Sequence, residues 1–179
     1  MSENYIVVLT GPSGVGKSAL VEQLVQLGWS KCITCTTRPP RSYEEDGLDY
    51  HFLEESSFVD AKDKGLFMET NQHYGHSYGL RRGDISQHLQ KGHAVVLLNW
   101  EGAKKIEKEY EHSVVVHIDP PSMEVLESRL AGREDTQRLQ YAKDDMRHSS
   151  QFQHRITNDD LGKTAKRLLK LLEEIIPNT

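Results

Sequence analysis

The residues with most chemical potential stand near the amino end: Gly11-Pro-Ser-Gly-Val-Gly-Lys-Ser18, entered from the apolar run Ile6-Val-Val-Leu-Thr10 and followed by the helix-like Ala19-Leu-Val-Glu-Gln-Leu-Val25. Glycines at this spacing let consecutive backbone N–H groups converge on one concavity. A helix N-terminus behind them adds about half a positive charge, so the stretch predicts a cradle for a phosphate chain. Gly11, Pro12, Ser13, Gly14, Val15 and Gly16 form the loop, Lys17 is placed to reach the outer phosphates, and the Ser18 hydroxyl is the expected ligand for Mg²⁺.

Such a loop leaves GTPases, motor-type ATPases and small-molecule kinases open. A GTPase needs a D-x-x-G element midway and an N-K-x-D base reader later. The D-x-x-G present, Asp159-Asp-Leu-Gly162, lies too near the C-terminus, and no N-K-x-D follows. A kinase acting on a phosphate acceptor makes other demands. Its acceptor oxygen is already anionic near pH 7, so it needs no general base, only cations that hold two negative groups together. Arginines fit that need: Arg38 and Arg41 on the proline-stiffened Thr37-Arg-Pro-Pro-Arg41, and Arg129, Arg133 and Arg138 around the polar connector 132–137.

The elements that must position these groups read as an alternating α/β chain. Ile6–Thr10, Ala94-Val-Val-Leu-Leu98 and Ser113-Val-Val-Val-His-Ile118 are apolar without alternation, as expected for strands covered on both faces. Further strands are expected at Cys32–Thr36 and near Arg155–Thr157, with helices after each core strand and Ser122 as an N-cap. The reading is an open parallel five-stranded core sheet, residues 1–37 and 93–179, with a short polar connector at 132–137. The polar, broken stretch at about 38–92 is expected to be an inserted subdomain.

At 179 residues the chain suits a single domain with a core that needs no staples. The two cysteines, Cys32 and Cys35, read as strand residues rather than a redox pair, and His73-x-x-His76 as loop histidines rather than metal ligands. A formal net charge of −5 argues against a general nucleic-acid or anionic-membrane surface. With no basic leader or long apolar run, a cytoplasmic protein is expected.

The motif set then becomes specific. Thr36-Thr-Arg-Pro-Pro-Arg41, Glu44, Gly47, Asp49-Tyr50, Phe52, Phe67-Met-Glu69, Tyr78-Gly79, Trp100-Glu-Gly-Ala103, Pro120-Pro121-Ser122, Arg129-Leu130, Gly132-Arg133 and Asn158-Asp-Asp160 together resemble the signature of guanylate kinases, P-loop nucleoside monophosphate kinases. The resemblance covers nearly the whole chain. It implies transfer of the γ-phosphoryl group of ATP to GMP or dGMP, by a monomer or homodimer, with the insertion binding GMP. It implies that Arg38, Arg41, Tyr50 and Tyr78 hold the GMP phosphate and that Glu69 reads guanine through two adjacent donors. Thr34, Glu44 and Gly79 take acceptor-side positions, and Asn158 one near the donor base. Lys17, Arg41, Arg133 and Arg138 would carry the transferring phosphoryl group. A guanylate-kinase-like binding module and a P-loop kinase for another phosphorylated acceptor are the alternatives.

Three positions depart from the pattern. Leu80 stands where the family carries Ser or Thr, removing one base contact that a neutral hydrogen bond would make worth about 0.5–1.5 kcal/mol. Leu97-Leu98-Asn99 replaces an acid-x-acid pattern, so Asn99 offers an acceptor without charge toward Mg²⁺. The resemblance implies a closing lid, here short at about 132–138, because the stretch from Arg133 to Arg138 is abbreviated.

Overall fold

The run Ile6–Thr10 forms β1, and each of its five residues is buried. The computed structural model describes residues 4–73, 75–131 and 137–177, and of Gln137 and Arg138 the backbone alone. After β1 come α1 (Lys17–Gln26), β2 (Ser30–Lys31), β3 (Cys35–Thr36), β4 (His51–Phe52), α2 (Glu55–Asp63), β5 (Phe67–His73), β6 (His76–Arg81) and α3 (Arg82–Leu89). The second half runs β7 (Ala94–Leu97), α4 (Trp100–Glu109), β8 (Ser113–Asp119), α5 (Met123–Leu130), α6 (Gln137–Arg147), a 3-10 turn at Ser149–Gln151, β9 (His154–Thr157) and α7 (Leu161–Ile175).

Five strands make an all-parallel sheet in the order β2-β7-β1-β8-β9, the architecture expected from the unbroken apolar runs. Side chains of β1 alternate between two cores. Val7 and Leu9 join Leu20 and Leu24 of α1 and Leu168 and Leu172 of α7. Ile6 and Val8 join Ala103 and Ile106 of α4 and Ile85 of α3 on the opposite face. With helices on both faces each position must be apolar, so period-2 alternation vanishes from the sequence. Ser122 caps α5 as expected, its Oγ accepting from Val125 N at 3.3 Å, and Asp160 caps α7 by accepting from Lys163 N at 2.8 Å.

A second sheet has the order β4-β3-β6-β5, mixing a parallel β3–β4 pair with antiparallel β3–β6 and β5–β6 pairs. Here the expected Cys32–Thr36 strand divides. Ser30–Lys31 pairs with β7 in the core sheet, and Cys32 N still donates to Val95 O at 2.8 Å, but Cys35–Thr36 pairs with β4 and β6. The chain changes sheets within three residues, a step that depends on long-range partners and leaves no mark in local alternation. Both thiols are free and buried, and burial pushes Cys32 up to about 12 and Cys35 to about 11, out of the reactive thiolate range.

Leu80 lies in β6, fully buried in the cluster of Ile6, Val8 and Ile106, together with Met68 of β5. It therefore ties the small sheet to the core. Leu80→Thr is expected to lower unfolding free energy by about 2–4 kcal/mol, since it removes packed methyls and buries a hydroxyl; chemical denaturation checks this.

Candidate functional site

A cavity of about 1110 Å³ opens at the C-terminal end of β1 and runs toward the second sheet. One end is lined by Gly11, Ser13, Gly14, Gly16, Lys17 and Ser18. The other is lined by Thr34, Arg38, Arg41, Glu44, Tyr50, Glu69 and Tyr78. Pockets for one small ligand span roughly 300–1,000 Å³. This one has room for two, with anion-binding groups at both ends.

At the loop end, Lys17 opens α1 and its ammonium donates to the carbonyls of Gly11 and Pro12, the latter at 2.8 Å. Burial lowers its pKa to about 8, and the carboxylate of Asp145 pulls the other way. Ser18 is exposed in the first turn of the same helix. Gly16 adopts φ 101°, a left-handed conformation, and a Cβ there would run into the side-chain amide of Asn158. That amide donates to Val15 O at 2.8 Å, while Asn158 N donates to Asp119 O at 2.8 Å and Arg129 donates to Asn158 O at 3.2 Å. Asn158 thus braces the loop from behind and does not line the cavity; Pro12 and Val15 likewise contribute through the loop backbone.

At the second end, Glu44 sits between two arginines. Its Oε1 accepts from Arg38 at 2.8 Å and lies 3.4 Å from Arg41 Nη1, and its Oε2 accepts from Arg41 N at 2.7 Å. Burial works against the charged form, but these bonds hold its carboxyl below the usual range. Arg38 also stacks over the Tyr50 ring at 5.4 Å, and Tyr50 meets Tyr78 edge-on at 6.1 Å. One carboxylate therefore orders two guanidinium groups without neutralising both, and leaves a net positive patch edged by two phenols.

Glu69 lies on β5 with 2% exposure, a carboxylate in an almost closed wall. A bulge at Met68 separates the pairs Phe67↔Arg81 and Glu69↔Leu80, which turns Glu69 toward the cavity. Its Oε2 accepts from Asn71 Nδ2 at 3.1 Å, and its Oε1 is buried with no hydrogen-bond partner among the described residues. Burial raises its pKa to about 7, opposed by the Asn71 bond and by Lys105. Behind it stands Gly102 of α4: a Cβ there would come within 2.8 Å of Glu69 Oε2. Asn99 holds that helix start in place, its Oδ1 accepting from Gly102 N at 2.9 Å. The carboxylate–metal position of the sequence pattern is thus occupied by a helix N-cap that shapes the Glu69 site.

Gly79 pairs within the second sheet beside the stacked rings of Phe58 and Phe67 and does not line the cavity. Arg133 lies outside the described residues, as does the side chain of Arg138; the backbone of Arg138 belongs to α6. Asn71 and Asp145 are lining residues that escaped the sequence reading. Asn71 follows Glu69 at the strand period, a signal hidden by the polar character of Thr70-Asn-Gln72. Asp145 falls on the i, i+3, i+6 stripe Leu139, Ala142, Asp145, where an acid among apolar positions was the available sign. Burial raises Asp145 to about 6 against the pull of Lys17.

Comparison with known proteins adds to this geometry. The guanylate kinase family model matches residues 3–175. Guanylate kinase of Alcanivorax borkumensis is 37% identical over 179 aligned residues, covering 94% of this chain and 86% of that protein. The enzyme of that name from Prochlorococcus marinus (strain MIT 9312) is 34% identical, covering 96% and 98%. The crystal structure of guanylate kinase from Anaplasma phagocytophilum superposes with a TM-score of 0.82 at 31% identity, covering 100% of this chain and 89% of that one.

Proposed function

The chain belongs to the guanylate kinase family, and on that footing we propose that it transfers the γ-phosphoryl group of ATP to the phosphate of GMP or dGMP, giving ADP and GDP or dGDP. The observation that carries this reading is one continuous cavity with a phosphate loop at one end and, at the other, an arginine pair and a buried, half-satisfied carboxylate. Gly11–Gly16 and Lys17 would hold the ATP phosphates. Arg38, Arg41, Tyr50 and Tyr78 would hold the phosphate of GMP, with Glu44 keeping the two guanidiniums aimed. Glu69 would accept from N1–H and the exocyclic amine of guanine, and Thr34 would add to the acceptor side of the cavity; adenine presents an acceptor at N1 and would be repelled.

Chemistry then needs little beyond placement. The attacking phosphate oxygen carries its own negative charge, so the two anions must be brought into line against their repulsion while cations absorb the charge that spreads over the transferring group. Lys17 and Arg41 would serve that need, and Arg133 and Arg138 would complete the clamp from the lid. Asp145 favours the charged form of Lys17.

Among the described residues no group of three or more His, Cys, Asp or Glu side chains is placed to hold a metal. The exposed Ser18 hydroxyl at the phosphate loop fits Mg²⁺ that arrives with the triphosphate and keeps most of its waters. When bound there, Mg²⁺ would neutralise phosphate charge. Among the described residues no helix is long and apolar enough to cross a membrane, and we infer a cytoplasmic enzyme working as a monomer or homodimer.

An acceptor series of GMP, dGMP, AMP, CMP and UMP, assayed with ATP, tests the reading. Turnover of GMP and dGMP is expected; no turnover of any acceptor at micromolar enzyme, or preference for AMP, would refute it.

A further inference from the structure

We propose that Asn71 is a positioning residue for base selection, which holds the Glu69 carboxylate by one oxygen, leaves the other without a protein partner among the described residues and adds an amide donor beside it. This rests on the guanine-reading role given to Glu69 above. The bulge at Met68 and the two-residue strand period place Glu69 and Asn71 on one wall of the cavity, and both line it. The amide Nδ2 donates to Glu69 Oε2 at 3.1 Å, leaving Oε1 as the buried acceptor that awaits a donor. A buried carboxylate without that anchor could turn about its last bond, and its acceptors would lose their aim.

The pairing also matches the chemistry of the ligand. The Watson–Crick edge of guanine offers two donors, N1–H and the amine, next to one acceptor, O6. Glu69 supplies acceptors; the second hydrogen of the Asn71 amide is a donor on the same wall. The cross-strand partner of Glu69, Leu80, is buried in the core and supplies none. Opposite Asn71 in register stands Tyr78, which lines the phosphate side, so the same strand pair spans base and phosphate. The charged groups that act on Glu69 from the packed element α4 are Lys105 and Glu101; from its own strand the Asn71 bond favours its ionised form.

Steady-state kinetics of wild type, Asn71→Ala and Asn71→Asp with GMP and IMP, across pH, test this. IMP lacks the exocyclic amine. For Asn71→Ala, kcat/KM for GMP is expected to fall roughly 10- to 100-fold, as for loss of a hydrogen bond to a charged group, through KM for GMP, with kcat and KM for ATP nearly unchanged. The GMP-to-IMP ratio should shrink. The acid limb of kcat/KM for GMP should move to higher pH, and further in Asn71→Asp, whose added carboxylate opposes ionisation of Glu69. A merely structural defect would depress GMP, IMP and ATP parameters together and leave the limb in place. Unchanged KM, ratio and limb in Asn71→Ala would overturn the proposal, as would that uniform loss. Wild type that phosphorylates no GMP would instead overturn the function on which it rests.

Discussion

Replacing Lys17 by methionine is expected to reduce kcat for phosphoryl transfer by about 10³ and at the same time to make the protein more stable. The rate effect follows from removing a preorganised positive charge at the phosphates; loss of one such donor in other enzymes costs about 10²–10³. The stability effect follows from the pKa. Lys17 titrates near 8 in the folded chain against 10.5 unfolded, because burial disfavours its charge. A base with a lowered folded pKa destabilises the fold fully below pH 8, and the penalty fades as pH rises to the unfolded value. At pH 7 methionine, of similar length and without charge, should therefore add on the order of 1–3 kcal/mol of unfolding free energy. Denaturation at pH 7 and at pH 10.5 checks the sign, since the gain should shrink at the higher pH. In the wild type, kcat/KM for ATP should correspondingly decline above pH 8.

Glu69→Gln should produce the second large effect, confined to the acceptor. The amide replaces one of two acceptors by a donor that faces the donors of guanine, so kcat/KM for GMP is expected to drop by roughly 10³ while KM for ATP is little changed. Because burial raises the pKa of Glu69 to about 7, only the fraction ionised above that pH reads the base. Wild-type kcat/KM for GMP should fall below pH 7, and this limb should weaken in the variant, leaving the titration of GMP itself. The stability consequence has the matching sign. A carboxyl with a raised folded pKa costs nothing below its unfolded pKa and its full penalty above the folded one. Glu69→Gln should thus add on the order of 1–3 kcal/mol at pH 8 and nothing at pH 4. Lys17 and Glu69 are both charges held in an environment that resists them, at a cost in stability that the proposed function would explain.

Elements whose placement depends on local sequence were readable. The phosphate loop announces itself because a strand, a glycine turn and a helix start are contiguous, and the parallel sheet because its three central strands, β1, β7 and β8, are apolar on both faces. Arg38, Arg41, Glu44, Tyr50, Glu69 and Tyr78 do meet on one cavity, as the ordered motifs imply. What the sequence hid depends on partners far along the chain. The division of Cys32–Thr36 between two sheets is decided by β7 on one side and β4 and β6 on the other. Leu80, read as a missing base contact, is also a joint between the sheets, packed with Met68, Val8 and Ile106. Asn99, read as the loss of a metal carboxylate, also caps α4 through its bond with Gly102 and sets the wall behind Glu69. Asn158 braces Val15 rather than lining the cavity, and only a contact across 143 residues reveals it.

The central claim is that one cavity joins a triphosphate donor to a guanine-reading acceptor. Phosphorus NMR of wild-type protein with ATP, GMP and Mg²⁺ tests it directly. ADP and GDP should appear in equal amounts with little free phosphate, and AMP in place of GMP should leave ATP largely intact. ADP accompanied by inorganic phosphate without GDP would contradict the account.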